Sequence, residues 1–148
     1  AGATFAQPFS RPPVVVASAQ INGKPLLACA VNNAAGGFTL SLYDLDGKPV
    51  TTGAWVQYIA LPPTSGKAVY GGVEVQAGIC QADSGQHLGF PQTFGKLVAV
   101  VCSAQKAGVA DAAAAMKNNA GGFDAALNDP HGGTVAKAWY QWLAIGRL

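Results

Sequence analysis

Two aspartates occupy equivalent points of the chain, Asp44 and Asp129, each in a turn that follows a Gly-Gly-Phe segment. An ionised carboxylate only accepts hydrogen bonds. In such a turn it either caps its own backbone as an Asx-turn or accepts from the hydroxyls of a bound sugar. His131, two residues past Asp129, either donates to a hydroxyl or is simply solvated. Sugar sites also need a flat apolar face for the C–H side of the ring. The candidates are Trp55 and Tyr58 in one aromatic run and Trp139, Tyr140 and Trp142 in another. Trp139 and Tyr140 are neighbours and point to opposite faces of a strand, with Trp142 on Tyr140's face. One of those faces is core, so core packing competes with a stacking role for each of these rings.

Catalytic constellations do not form. Glycoside hydrolysis needs two carboxylates with tuned pKa values flanking the bond, whereas the seven acidic residues lie mostly in turns and Glu74 is the only glutamate. Ser84 and His87 share the polar loop Gln81–Gly89, but no Gly-x-Ser-x-Gly elbow surrounds the serine, and His87 reads as solvated. Cys102 has no helix or basic neighbours to lower its thiol pKa. The expectation is a protein without enzymatic activity, cofactor or metal.

The elements that must position these residues are written twice. Phe5-x-Gln7-x-Phe9 followed by Val14–Gln20 returns as Phe90-x-Gln92-x-Phe94 followed by Ala99–Gln105, 85 residues on. Gly36-Gly37-Phe38 returns as Gly121-Gly122-Phe123, and Leu42, Asp44 and Gly47 as Leu127, Asp129 and Gly132. Each copy closes on an aromatic run, Ala54–Ala60 and Ala138–Ala144. So many ordered matches in one register argue for duplication.

Within each copy, short apolar runs alternate with turn residues. Val14–Gln20, Leu26–Val31, Phe38–Tyr43 and Ala54–Leu61 read as strands, with a turn at Asn22-Gly23, a loop over Asn32–Gly37 and a turn at Asp44–Lys48. Pro62–Gly66 reads as a linker. Val69–Cys80 reads as one extra strand before the second copy, with no counterpart before the first. Asp111–Met116 is alanine-rich and helix-favouring, but its register with Leu26–Val31 makes it a strand. The fold class is therefore all-β, two tandem antiparallel β-sandwich lobes: residues 1–61, a linker over 62–68, and residues 69–148. A lobe this small is marginal alone, so packing between lobes or chains must supply more burial.

Composition agrees. Half of the 148 residues are hydrophobic and 11% charged, with 19 glycines and nine prolines, as expected of a globular, turn-rich β protein. The net charge of +2 is scattered, so no basic face for nucleic acid is expected. No run reaches the ~20 apolar residues of a membrane span, and nothing at the N-terminus resembles a signal peptide. Cys29, Cys80 and Cys102 lack C-x-x-C spacing. They read as three free thiols, with a disulfide through Cys80 as the alternative.

The run Phe5-Ala6-Gln7-Pro8-Phe9-Ser10-Arg11-Pro12-Pro13-Val14-Val15 resembles the entry strand of the H-type lectins, the group of the snail agglutinins and discoidin C-terminal domains. Gly37-Phe38 with Tyr58-Ile59-Ala60-Leu61, and Gly122-Phe123 with Trp142-Leu143-Ala144-Ile145, are similar to that family's middle and closing strands. Val73–Cys80 resembles its first strand. Copy two has Lys96-Leu97-Val98 where the family has Pro-Pro-Val.

The resemblance implies six-stranded sandwiches that trimerise and hold galactose-type sugars between protomers, outside the cell, as a secreted lectin or at a phage tail-fibre tip. It buries the position of Tyr58 and Trp142, leaving Trp55 and Trp139 as the exposed candidates. Its strand-borne polar ligand falls near Pro25–Leu26 and Ala110–Asp111, making Asp111 a candidate. Its Trp-His turn falls at Leu45-Asp46 and Pro130-His131, adding Asp46. Any sugar is thus expected mainly at copy two, near Asp129 and His131, with Trp139 as a stacking face. The rival reading is a structural module that trimerises a fibre or docks another protein without binding sugar.

Overall fold

A computed structural model of the chain describes residues 1–20, 24–51, 53–105 and 111–147; the side chain of Gln20 is not described. The expected Asn22-Gly23 turn lies outside those residues. All regular structure among them is β, in twelve strands. The first copy contributes β1 (Gly2–Thr4), β2 (Val14–Gln20), β3 (Leu27–Ala34), β4 (Gly37–Tyr43) and β5 (Trp55–Leu61). Then come β6 (Ala68–Tyr70) and β7 (Val73–Ala82). The second copy follows with β8 (His87–Gly89), β9 (Lys96–Gln105), β10 (Ala112–Asn119), β11 (Gly122–Asn128) and β12 (Ala138–Arg147). All pairings are antiparallel, in sheets ordered β1-β4-β3, β2-β5, β8-β11-β10 and β6-β7-β12-β9.

The duplication extends to single pairs. Ala17 faces Tyr58 where Cys102 faces Trp142, and Gln20 faces Trp55 where Gln105 faces Trp139. The bulge between Val31 and Ala34 is matched between Met116 and Asn119, with Asn32 and Lys117 in left-handed conformation, φ 52° and 49°. The recurrent Phe-x-Gln-x-Phe also acquires a physical reason. Phe5 N and Phe9 N donate to Gly36 O and Ala35 O, as Phe90 N and Phe94 N donate to Gly121 O and Ala120 O. Each entry segment is thereby tied to a hairpin tip. Its two phenylalanines meet edge-to-face, at 5.0 Å in one copy and 5.1 Å in the other.

The cores are unequal. In the second copy Phe123, Ala125 and Leu127 of β11 pack against Tyr140, Trp142 and Ala144 of β12, with Phe94 and Ala104 beside them. In the first, Phe5, Val15, Ala30 and Phe38 form a smaller cluster. The copies join where Val14 of β2 packs against Val75, Ala77 and Leu143. The fully buried Gln141 side chain reaches across that joint. Its Oε1 accepts from Val15 N (2.8 Å) and Asn33 Nδ2 (2.7 Å), and its Nε2 donates to Ala30 O (3.1 Å).

Several expectations are corrected. Val69–Cys80 is not one strand but the β6–β7 hairpin turning at Gly71-Gly72, and paired glycines are a hairpin signal in themselves. Residues 32–37 are no loop: β3 and β4 run to a tight turn, because the bulge absorbs the Asn-rich stretch. The polar stretch 81–89 contains the short strand β8, held by β11. The segment after Leu61 is pinned to β7, Thr64 N donating to Ala77 O (2.9 Å) and Thr64 Oγ1 accepting from Ala77 N (3.0 Å). Tyr58, expected in the core, is 42% exposed, whereas its counterpart Trp142 is 5% exposed. Its ring still touches the core rings of Phe5 and Phe38, but among the described residues β5 pairs with β2 alone.

Candidate functional site

Asp44 and Asp129 sit in turns with the same hydrogen-bond pattern. Asp129 Oδ1 accepts from His131 N (2.9 Å) and Gly133 N (2.8 Å), and Asp44 Oδ1 from Asp46 N (3.0 Å) and Lys48 N (2.8 Å). Asp129 N and Asp44 N pair with Gly133 O and Lys48 O. The positive φ values of Gly132 (84°) and Gly47 (78°) explain the glycine at that place in both turns. Each carboxylate thus orders its own turn through Oδ1, which is the Asx-turn alternative, and both aspartates are half-buried. His131 is exposed beside Asp129.

In the first copy the turn borders an open hollow of about 480 Å³, where Asp44 and Asp46 stand with Lys24, Pro25, Leu45 and Pro49. Two acceptors, one cationic donor and an apolar floor converge there.

Asp111 is placed elsewhere. It is buried in a cleft of about 180 Å³ between the copies, which matching segments line from both sides, 17–19 and 26–28 facing 102–104 and 111–113. Cys29 Sγ donates to the Asp111 carbonyl at 3.8 Å. Position 111 is therefore joined to copy packing and not to the turn that carries Asp129.

The exposed tryptophans are the expected ones, Trp55 at 82% and Trp139 at 48%. Trp139 has a setting that was not read from the sequence. On β12 it lies directly between Gln81 of β7 and Gln105 of β9. Directly opposed residues on one sheet face have Cβ atoms about 4.5–5.5 Å apart, so two amides flank one indole. Trp55 stands on the edge strand β5, paired across β2 with Gln20. The alternation of β7 and β9 fixes the faces of Gln81 and Gln105, but only the register sets them beside Trp139.

His87 is exposed, as expected, and is also paired: its Nδ1 lies 2.9 Å from Asp124 Oδ1, and Lys117 Nζ lies 3.2 Å from Asp124 Oδ2. The hydrogen bonds from His87 and then Lys117 hold the Asp124 carboxyl below the usual range. Ser84 Oγ accepts from Leu127 N, so this serine is engaged by the backbone of β11.

All three cysteines are free thiols. Burial, reinforced by the Asp111 charge, pushes the Cys29 thiol up to about 11 from 9.0. Burial also raises the Tyr140 phenol. Between pH 9 and about 11 the unfolded chain loses the Cys29 proton while the folded chain keeps it. Folding stability therefore falls as pH rises through that window. The thermal midpoint is expected to drop steadily from pH 8.5 to 11 in a melting series, and Cys29→Ala should make the drop shallower.

Comparison of the chain with family models, with curated proteins and with solved structures finds no match. No helix among the described residues is long and apolar enough to cross a membrane.

Proposed function

We propose that the chain is a non-catalytic carbohydrate-binding protein of the H-type-lectin kind. In this reading it has two tandem sandwich lobes, assembles as a trimer, and recognises cell-surface glycans outside the cell, as a fibre tip or a secreted lectin. The observation that carries the reading is Trp139, half exposed on a sheet face between Gln81 and Gln105. The indole offers the flat apolar face that the C–H side of a pyranose stacks on. Each amide supplies a carbonyl acceptor and an NH₂ donor at the rim, where ring hydroxyls project. Nothing in this arrangement moves a proton or attacks a bond; it binds. So shallow a platform gives weak binding per site, which assembly into several copies raises through avidity.

The test is a glycan array followed by calorimetry on a responding sugar. Trp139→Ala should weaken binding at least tenfold, about 1.4 kcal/mol, while Trp55→Ala leaves it unchanged. Binding that survives Trp139→Ala but fails in His131→Ala with Asp129→Asn would place the site at the second copy's turn. Loss in Asp46→Asn would place it in the first copy's hollow. A silent array favours the rival reading of a structural module, and the bare apolar edge of β5 is the observation on that side.

A further inference from the structure

The two copies differ in what flanks the closing strand. In the second, β12 lies between β9 and β7; in the first, β5 pairs with β2 alone, and among the described residues nothing pairs with its other side. Three observations show what that edge is shaped to receive.

The first is the aromatic pair. Trp142 is buried because Gly78 of β7 faces it, so closely that a Cβ on Gly78 would stand 2.6 Å from the indole. Tyr58, the counterpart of Trp142, faces the same way and is open to solvent. The second is the entry segment. Gln76 of β7 exchanges two bonds with the backbone of Gln92, Nε2 donating to Gln92 O (2.6 Å) and Oε1 accepting from Gln92 N (3.0 Å). Gln7 recurs at the position of Gln92 and is exposed, and no side chain reaches its backbone among the described residues. The third is the edge itself. β5 reads Trp-Val-Gln-Tyr-Ile-Ala-Leu, with no charge and no proline. Exposed edges are normally guarded by such residues, because their free N–H and C=O groups recruit strands. Beside it Val16, Gln57, Tyr58, Ile59 and Val101 line an open apolar groove of about 400 Å³.

We infer that the free edge of β5 is a strand-acceptor site, and that its occupant is an extended segment of another polypeptide with the pattern of β7. It adds antiparallel to β5 in the register of β7 on β12. A glycine or alanine faces Tyr58, a glutamine two residues earlier faces Ala60 and grips the backbone of Gln7, and small apolar residues face Ile59 and Leu61. Main-chain bonds supply affinity and the alternate side chains supply selection. The inference is independent of sugar binding.

A synthetic peptide of Val73–Ala82 carrying Cys80→Ser is the probe, titrated into the whole chain and read by amide hydrogen exchange and NMR. Saturable one-to-one binding is expected, with exchange slowed over residues 55–61 and at Gln7. The same peptide with Gly78→Val should bind at least tenfold more weakly, because its side chain meets the Tyr58 ring. The inference is overturned by absence of binding or by equal binding of the Gly78→Val peptide. It is also overturned by β5 amides already protected in the chain alone at micromolar concentration, since a second copy then covers the edge.

Discussion

Phe123→Ala is expected to remove about 3–5 kcal/mol of folding stability. The ring is fully buried on β11 and lies 5.6 Å from Phe90, 5.8 Å from Trp142 and 5.9 Å from Tyr140. Truncation removes three aromatic contacts, each worth about 0.5–1.5 kcal/mol beyond area burial. The cavity closes poorly because its walls are large rings, Tyr140 and Trp142 held in the paired strand β12 and Phe90 tied by its backbone to Gly121 O. Phe38→Ala, the matching change in the first copy, should cost less and fall near the lower end of that range. Phe38 is also buried, but its neighbour Tyr58 is open to solvent, so water and side-chain movement relieve part of the void. Urea unfolding of both variants checks the pair. A Phe123→Ala protein as stable as its parent would refute the core assignment, and equal losses in the two would refute the inequality of the copies.

Gln141→Leu is expected to cost about 3–5 kcal/mol, although it replaces a polar side chain by an apolar one of similar size. Gln141 satisfies three groups of the first copy: Val15 N, the Asn33 side-chain amide and Ala30 O. Leaving a buried polar group unpaired costs about 1–3 kcal/mol; the leucine takes the amide partner from Val15 N and Ala30 O at the joint between the copies, while Asn33 Nδ2 keeps Pro13 O at 3.1 Å. Gln57 is the same residue at the same place of the first copy's closing strand, and it is exposed. Gln57→Leu should therefore stay within about 0.5 kcal/mol of the parent. Thermal and urea unfolding of the two variants measure the difference. A Gln141→Leu protein that unfolds with its parent would mean that the joint is held by Val14, Val75, Ala77 and Leu143 without the amide.

The distance between Gln141 and Gln57 is also the distance between what can be read in the chain and what cannot. Local residue types determined the strands, because β-branched and aromatic runs bounded by glycine and proline have few other ways to bury themselves. The duplicated spacing determined that Phe38 and Phe123 are core anchors. It also made Asp44 and Asp129 equivalent turn residues, since an aspartate three residues before glycine orders a tight turn from its own neighbours. It carried Ala112–Asn119 into a strand against the helix propensity of its alanines. Those are short-range or repeat-encoded facts.

Tertiary structure alone decided which copy is complete. The sequence contained Gly78 and Trp142 but not their register, so it could not show why one closing aromatic is buried and Tyr58 is open. Gln81, Gln105 and Trp139 are scattered along the chain and become one platform only when β7, β12 and β9 pair. Asp111 was a candidate ligand through the family resemblance and is buried instead, in the cleft between the two copies. Burial of a side chain depends on what lies across from it, and in a sheet that neighbour is set by register between strands far apart in the chain.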